Sequence, residues 1–120
     1  MKTICLDFDG VLHLYRSPWT TAGEVLDGPV DGAQDFCRHL LAEGYAVVVL
    51  STRASFKAGR QAMDDWLRHH DFPKEVQIAE GEKPPAVLYV DDRALRFNGD
   101  FAEVMAFVQG DMTPWNKKGG

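Results

Sequence analysis

Cysteine and long hydrophobic runs are scarce in this sequence. The 120 residues include only Cys5 and Cys37, each inside an apolar stretch, where free cysteine commonly packs as a small hydrophobe, so we expect no disulfide. The longest apolar run, residues 45–50, is far shorter than the ~20 residues of a membrane-spanning helix. Two aspartates interrupt the first apolar run, so we expect no signal peptide. These absences predict a cytoplasmic protein that is not attached to a membrane.

An excess of basic residues is also missing. The chain has 13 Lys and Arg against 18 Asp and Glu, which gives a formal net charge of −5 at pH 7. That balance offers no strong electrostatic footprint for the phosphates of nucleic acid. Hydrophobic residues make up 45% of the chain, enough for a buried core. The length fits one domain, which we place at residues 1–110, followed by a loose tail at 111–120.

Apolar runs alternate with helical periodicity along the chain. Three consecutive valines at 47–49 are typical of a strand covered on both faces. Residues 13–29 have no periodicity and contain Gly and Pro, which indicates a long surface loop, and Asp31 is expected to cap the first helix. The predicted strands are 3–6, 45–50, 76–79 and 86–90, with a short edge strand at 95–97, and the predicted helices are 32–42, 56–69 and 101–109. This order predicts a doubly wound, mainly parallel α/β sheet.

Three of the predicted strands end in acidic or hydroxyl side chains. Asp7 and Asp9 follow the first strand, Ser51 follows the second, and Asp91 and Asp92 follow the fourth. Ligands of open parallel sheets bind beyond the carboxyl ends of the strands, so these groups are expected to converge. Clustered carboxylates raise one another's pKa, and a hard divalent cation such as Mg²⁺ relieves that repulsion. The pattern therefore predicts a magnesium site.

A loop lysine and a hydroxyl group complete a predicted phosphoryl-transfer site. Lys83 lies near the same sheet edge and would neutralise a phosphoryl oxygen, while Ser51 would donate a hydrogen bond to another. A carboxylate nucleophile and a second carboxylate that moves protons point to an aspartyl-phosphate intermediate that is then hydrolysed. The simpler alternatives are aspartates in ordinary turns or helix caps, Ser51 and Thr52 as caps, and a solvated lysine.

Four motifs of the sequence resemble those of the haloacid dehalogenase-like (HAD) superfamily of phosphohydrolases. They are "DFDGVL", "VVVLST", the lysine of "EKPP", and "YVDD", in that order. The resemblance spans residues 3 to about 108, and the stretches "HLYRSPW" and "DDRALRFNGDF" are similar to those of small HAD proteins of phages and bacteria. It implies an HAD-like, Rossmannoid sheet and hydrolysis of phosphate esters.

The resemblance also implies a role for each acidic motif residue. Asp7 would be the nucleophile and a metal ligand, and Asp9 the general acid/base, with its backbone carbonyl on the metal. Asp91 would bind Mg²⁺ with the assistance of Asp92. The aspartate at position 9 favours phosphatase over dehalogenase activity, because carbon–halogen members of the superfamily lack it. Gly10 would allow a sharp turn after the nucleophile.

The remaining candidates concern the substrate. Ser51 would hold the phosphoryl group and Lys83 would neutralise it, while Thr52 and Arg53 are expected to contact the substrate. A further set in the loop after the nucleophile either contacts the substrate or only anchors that loop: Tyr15, Arg16 and Trp19.

The short spacing between motifs leaves no room for a lid domain beyond the loop at 13–29, so we expect a capless enzyme. An open site suits a polynucleotide end, another large phosphorylated molecule or, with an oligomeric neighbour as cover, a smaller one; a nucleotide is equally compatible. Two alternatives remain: a catalytically silent module that binds phosphate and Mg²⁺, and a receiver-like signalling domain. The order of the motifs disfavours the receiver, in which the acidic pair begins the chain and the lysine comes last.

Overall fold

A four-stranded parallel sheet forms the centre of the computed structural model, which describes residues 1–17 and 24–117. The strands lie in the order β3-β2-β1-β4. Their bounds are β1 Thr3–Asp7, β2 Ala46–Leu50, β3 Gln77–Ile78 and β4 Leu88–Val90. Three α-helices accompany them in the described residues: α1 Ala33–Ala42, α2 Lys57–His69 and α3 Phe101–Gln109. The α/β class and the parallel sheet are confirmed, with strand positions close to those predicted.

The central strand β1 brings the first motif to the carboxyl edge of the sheet. Cys5 pairs with Val48 of β2 on one side and with Tyr89 of β4 on the other. Leu6 of β1 and Val49 of β2 are fully buried. A strand flanked by parallel neighbours and covered on both faces needs such a continuous apolar run. Because β1, β2 and β4 are parallel and adjacent, the residues that follow them meet at one edge.

Helix α2 contributes three side chains to the core that packs against the sheet. Met63, Trp66 and Leu67 are buried and lie on one face of the helix, as their spacing of three and four residues requires. Trp66 packs edge-on against Phe8, with ring centroids 5.1 Å apart, and its indole N–H donates to the carbonyl of Asp27 at 2.9 Å. Burial of each large apolar side chain contributes about 1.5–3 kcal/mol. The helix thereby fixes both the end of β1 and the loop that follows it.

The start of α1 differs from its prediction. Asp31 was the expected cap, but the N-cap residue is Gly32, at φ 85°, and no side chain caps the helix. Glycine adopts this left-handed conformation without steric cost, so the chain enters the helix one residue later and Asp31 lies too early to cap it. On the buried face of α1, Cys37 and Leu40 pack into the core. Cys5 and Cys37 are both free and buried, as predicted.

The region after β4 buries little. The predicted edge strand at 95–97 is absent from the described residues, where this stretch is irregular and forms no ladder with β4. Helix α3 forms where predicted, capped by the Asp100 carboxylate, which accepts the N–H of Ala102 at 2.9 Å, yet it has no buried residue. Among the described residues, no helix is long and apolar enough to cross a membrane.

The described part of the C-terminal segment ends in a short helical turn. Trp115–Lys117 forms one turn of 3₁₀-helix, and Asn116 is buried. Hydrogen bonds to the loop after β1 hold this turn in place. Local sequence composition does not reveal such long-range bonds.

Candidate functional site

Three carboxylates meet at the carboxyl edge of the sheet. Asp7 is the last residue of β1, and Asp91 and Asp92 directly follow β4. One oxygen from each of the three lies within 4.8 Å of the other two. Because Mg²⁺ binds carboxylate oxygens at about 2.0–2.1 Å, the three side chains would have to draw closer together to share one ion. The donor set fits a hard divalent cation.

The cluster strongly perturbs the ionisation of Asp7. Burial is the largest cause, followed by the negative charge of Asp91 and by a hydrogen bond and the charge of Asp92, and together they raise the pKa of Asp7 to about 8. A hydrogen bond from the backbone of Phe8 opposes the shift. The cluster therefore retains a proton near neutral pH when no cation is bound, and a cation would release it.

Asp9 lies in a different electrostatic environment. The Nε of Arg53 donates to both of its carboxylate oxygens, at 2.8 and 3.1 Å, and His13 Nδ1 lies 2.8 Å from Oδ1. Burial opposes ionisation of Asp9, but the hydrogen bonds from His13 and Arg53 outweigh it and hold the pKa of Asp9 below its ordinary value. Its side chain is thus an ion-paired carboxylate and is not one of the three clustered ligands.

His13 is the main functional candidate that sequence reasoning missed. Only 1% of its surface is exposed, and its Nε2 accepts the backbone N–H of Asp27 at 3.0 Å. That bond leaves the ring proton on Nδ1, which then donates to Asp9. The spacing of four residues from Asp9 was the available signal, although a lone histidine near an acid is common.

Ser51 and Lys83 line the same cavity as the nucleophile candidate. This cavity of about 320 Å³ is bordered by Asp7, Ser51 and Lys83, together with Cys5, Leu50, Thr52, Tyr89, Val90, Asp91 and Ala94. Ser51 also accepts the backbone N–H of Arg53 at 3.2 Å and so caps the short 3₁₀-helix that follows β2. The Lys83 ammonium lies 4.3 Å from the centroid of the Tyr89 ring. The structure thus brings together the hydroxyl, the lysine and the carboxylates.

An adjoining cavity, also of about 320 Å³, lies on the side of Asp9. It shares Asp7, Asp91, Ser51 and Thr52 with the first cavity. The residues that border it alone are Asp9, Tyr15, Asp92 and Arg93. Gly10, at φ 89°, lies so close to the Asp92 carboxylate that a Cβ atom there would collide with it. Arg93 at this cavity was not anticipated from the sequence.

The other residues that were predicted to contact the substrate have different surroundings. Arg53 is only 1% exposed and is held by Asp9 and by the carbonyl of Glu24, so it lies behind Asp9 and not on a cavity surface. The backbone N–H of Arg16 donates to Asp27 at 2.8 Å, which anchors the loop. Trp19 lies outside the described residues.

Larger cavities exist but have different chemistry. Two, of about 670 and 570 Å³, lie along α2. Within residues 1–17 and 24–117, the carboxylates of Asp7, Asp91 and Asp92 are the single cluster with metal-ligand spacing, and it lies at neither of these cavities. We therefore place the candidate site at the sheet edge. No protein-family model, curated protein or solved structure matches this chain.

Proposed function

We propose that the protein is a capless, HAD-like, Mg²⁺-dependent phosphomonoester hydrolase. One observation carries the proposal: one carboxylate oxygen from each of Asp7, Asp91 and Asp92 lies within 4.8 Å of the other two, and Asp7 and Asp91 border the same cavity as Ser51 and Lys83. A nucleophile, a cation site and two groups suited to phosphoryl oxygens are the parts that phosphoryl transfer requires.

The reaction would proceed in two displacements at phosphorus. A carboxylate oxygen of Asp7 attacks, an O–P bond forms, and the ester P–O bond breaks as the leaving oxygen takes a proton. Water then attacks the same phosphorus, which releases inorganic phosphate and restores the carboxylate. Lys83 and Ser51 would bind the non-bridging oxygens in both steps. Mg²⁺ held by the three clustered carboxylates would neutralise charge there and keep Asp7 deprotonated.

Asp9 is proposed as the group that moves the proton. It borders the cavity beside Asp7, and its pairing with Arg53 and His13 favours the carboxylate form. A carboxylate suits removal of a proton from the attacking water in the second step. Donation to the leaving group needs prior protonation of Asp9, so esters with good leaving groups should react fastest.

The topology argues against the receiver-like alternative. Receiver domains have the flavodoxin-like strand order 2-1-3-4-5, whereas the order here is β3-β2-β1-β4, which matches the first four positions of the Rossmann order 3-2-1-4-5-6. A silent module that binds phosphate and Mg²⁺ would have the same cluster of carboxylates, so only turnover separates it from an enzyme.

The experiment is a screen of phosphorylated compounds with the purified protein and Mg²⁺. The panel contains p-nitrophenyl phosphate, nucleotides, phosphorylated small molecules and oligonucleotides with 3′- or 5′-phosphates. We expect Mg²⁺-dependent phosphate release that EDTA and the Asp7→Asn variant abolish. Asp31→Asn, at an exposed aspartate outside the site, is the control and should retain activity. Absence of hydrolysis across the panel would refute the enzymatic function. The remaining alternative would be the silent module that binds phosphate and Mg²⁺.

A further inference from the structure

The C-terminal turn is joined to the loop that follows β1. The indole N–H of Trp115 donates to the carbonyl of Gly10 at 2.7 Å. The side-chain amide of Asn116 donates to the carbonyls of Leu14 and Tyr15 at 2.8 and 2.9 Å. These bonds hold both ends of the segment 10–15, and we call the turn Trp115–Lys117 the C-terminal clasp.

The segment that the clasp holds is part of the site. Gly10 directly follows Asp9 and abuts the carboxylate of Asp92. Tyr15, at the other end, borders the cavity that contains Asp7 and Asp9. A displacement of this segment would therefore move the proton-transfer candidate, one metal-ligand candidate and one cavity wall together.

Tyr15 needs to be held because its backbone is strained. Its φ of 52° lies in the left-handed region, which is unfavourable for a residue with a bulky side chain. Such conformations persist where the surroundings enforce them. The clasp does so twice, since Asn116 binds the Tyr15 carbonyl and the Lys117 ammonium lies 4.2 Å from the centroid of the tyrosine ring.

Core packing alone does not account for these residues. The Trp115 side chain is 47% exposed, so much of its apolar surface remains in water while its N–H is used for a directed bond. Asn116 is 5% exposed, and its Oδ1 has no hydrogen-bond partner among the described residues. A buried acceptor without a partner is unfavourable, so Asn116 stabilises the clasp through its two donated bonds.

We propose that Trp115 and Asn116 are positioning residues of the active site, which act by holding the segment 10–15 against the carboxylate cluster. This inference rests on the proposed function, because the clasp does not contact the reacting atoms. Through Gly10 and Asp92 it orients the cation site, and through Tyr15 it shapes the adjoining cavity. A loosened clasp should thus lower kcat and the affinity for Mn²⁺, used here as a probe for Mg²⁺, because Gly10 and Asp92 would shift. It should raise KM because Tyr15 would shift.

Two variants separate the donated bonds from the bulk of the side chains. Trp115→Phe retains an aromatic ring but removes the N–H, and Asn116→Leu retains the volume but removes the amide. Met112→Ala is the control, since this exposed residue lies just before the clasp and is not part of it. We expect Trp115→Phe, which removes one donated bond, to lose about fivefold in kcat/KM for p-nitrophenyl phosphate, and Asn116→Leu, which removes two, to lose more. The double variant should lose less than the product of the two, because both bonds hold one segment.

Two further readouts are independent of turnover: amide hydrogen exchange of residues 10–15 and Mn²⁺ affinity by electron paramagnetic resonance. Faster exchange with weaker Mn²⁺ binding and lower kcat/KM in the clasp variants, and not in Met112→Ala, supports the proposal. Unchanged exchange, or faster exchange with unchanged Mn²⁺ affinity and kinetics, overturns it. An inactive wild-type protein would refute the proposed function, and exchange with Mn²⁺ affinity would then decide the positioning role.

Discussion

Replacement of Asp91 by asparagine should stabilise the protein at alkaline pH in the absence of metal. The substitution removes one negative charge from the cluster around Asp7 and keeps the Oδ1 atom that accepts the N–H of Arg93 at 2.8 Å. The local turn is therefore preserved, and the change is almost purely electrostatic. A residue that serves only as a turn former would show no such stabilisation.

The sign follows from the raised pKa of Asp7, which is about 8 in the folded chain against an ordinary value of 3.8. Between these two values the folded state binds a proton that the unfolded state has lost, so the stability of the metal-free protein falls as the pH rises through this range. The charge of Asp91 is the second-largest cause of the raised pKa, after burial. Removal of the Asp91 charge should therefore make the loss of stability with rising pH smaller.

The magnitude follows from the separation of the charges. Two unit charges about 4.8 Å apart repel by about 1 kcal/mol in water and by about 3.5 kcal/mol at an effective dielectric constant of 20. Because Asp91 is exposed, we expect the lower end, about 1 kcal/mol. For a domain of this size that corresponds to a rise in Tm of about 4 °C at pH 8.5. At pH 5, where Asp7 is protonated in both proteins, the difference should vanish.

Thermal unfolding followed by circular dichroism provides the assay, at pH 5 and 8.5, in EDTA and in excess MgCl₂. Mg²⁺ at 100 times its Kd should stabilise the wild-type protein by about 2.7 kcal/mol and the variant by much less. Asp31→Asn serves as the control and should match the wild-type protein at both pH values, in EDTA and in MgCl₂. The electrostatic account would be wrong if Asp91→Asn were less stable than the wild type in EDTA at pH 8.5, or if Mg²⁺ stabilised both equally.

Three further outcomes follow from the fold and the site. Met63→Ala, in the core, should cost about 2–5 kcal/mol in urea unfolding, whereas Met105→Ala on the exposed helix α3 should change stability by less than about 0.5 kcal/mol; equal effects would contradict the packing described here. Gly10→Ala should weaken Mn²⁺ binding measured by paramagnetic resonance, since its Cβ would displace the Asp92 carboxylate, and unaltered affinity would refute the close approach. The pKa of Asp9 is lowered in the folded state, so its pairing stabilises the protein above the unfolded pKa of about 3.8, and this stabilisation is lost as the pH falls through the folded pKa. Asp9→Asn should therefore make Tm fall less steeply at acidic pH. An unchanged acidic part of the Tm–pH profile would contradict the pairing.

Much of the architecture could be predicted because its determinants are local. The valine run of β2 and the apolar stripe of α2 each specify one element by periodicity. The convergence of Asp7, Ser51 and Asp91 also followed, since parallel strands align their carboxyl ends at one edge. These inferences need only strand direction and strand ends, which the order of apolar runs supplies.

The rest of the site depends on contacts that no local pattern encodes. The pairing of Asp9 with Arg53 joins residues 44 positions apart, and the bond from Trp115 to Gly10 spans 105 positions. Arg53, which follows the second motif, was expected to contact the substrate, yet it is buried and pairs with the Asp9 carboxylate. The prediction of a strand at 95–97 was wrong for a related reason. A short apolar stretch forms a strand only where a neighbouring strand pairs with it.

The central claim is that Asp7 becomes covalently phosphorylated during turnover. Rapid acid quenching of the protein with Mg²⁺ and p-nitrophenyl phosphate, followed by mass spectrometry of its peptides, tests this most directly. The account predicts a phosphoryl group on the peptide that contains Asp7, labile to hydroxylamine and absent from Asp7→Asn. Turnover without any phosphorylated peptide, or a phosphoryl group carried by another residue, would contradict it.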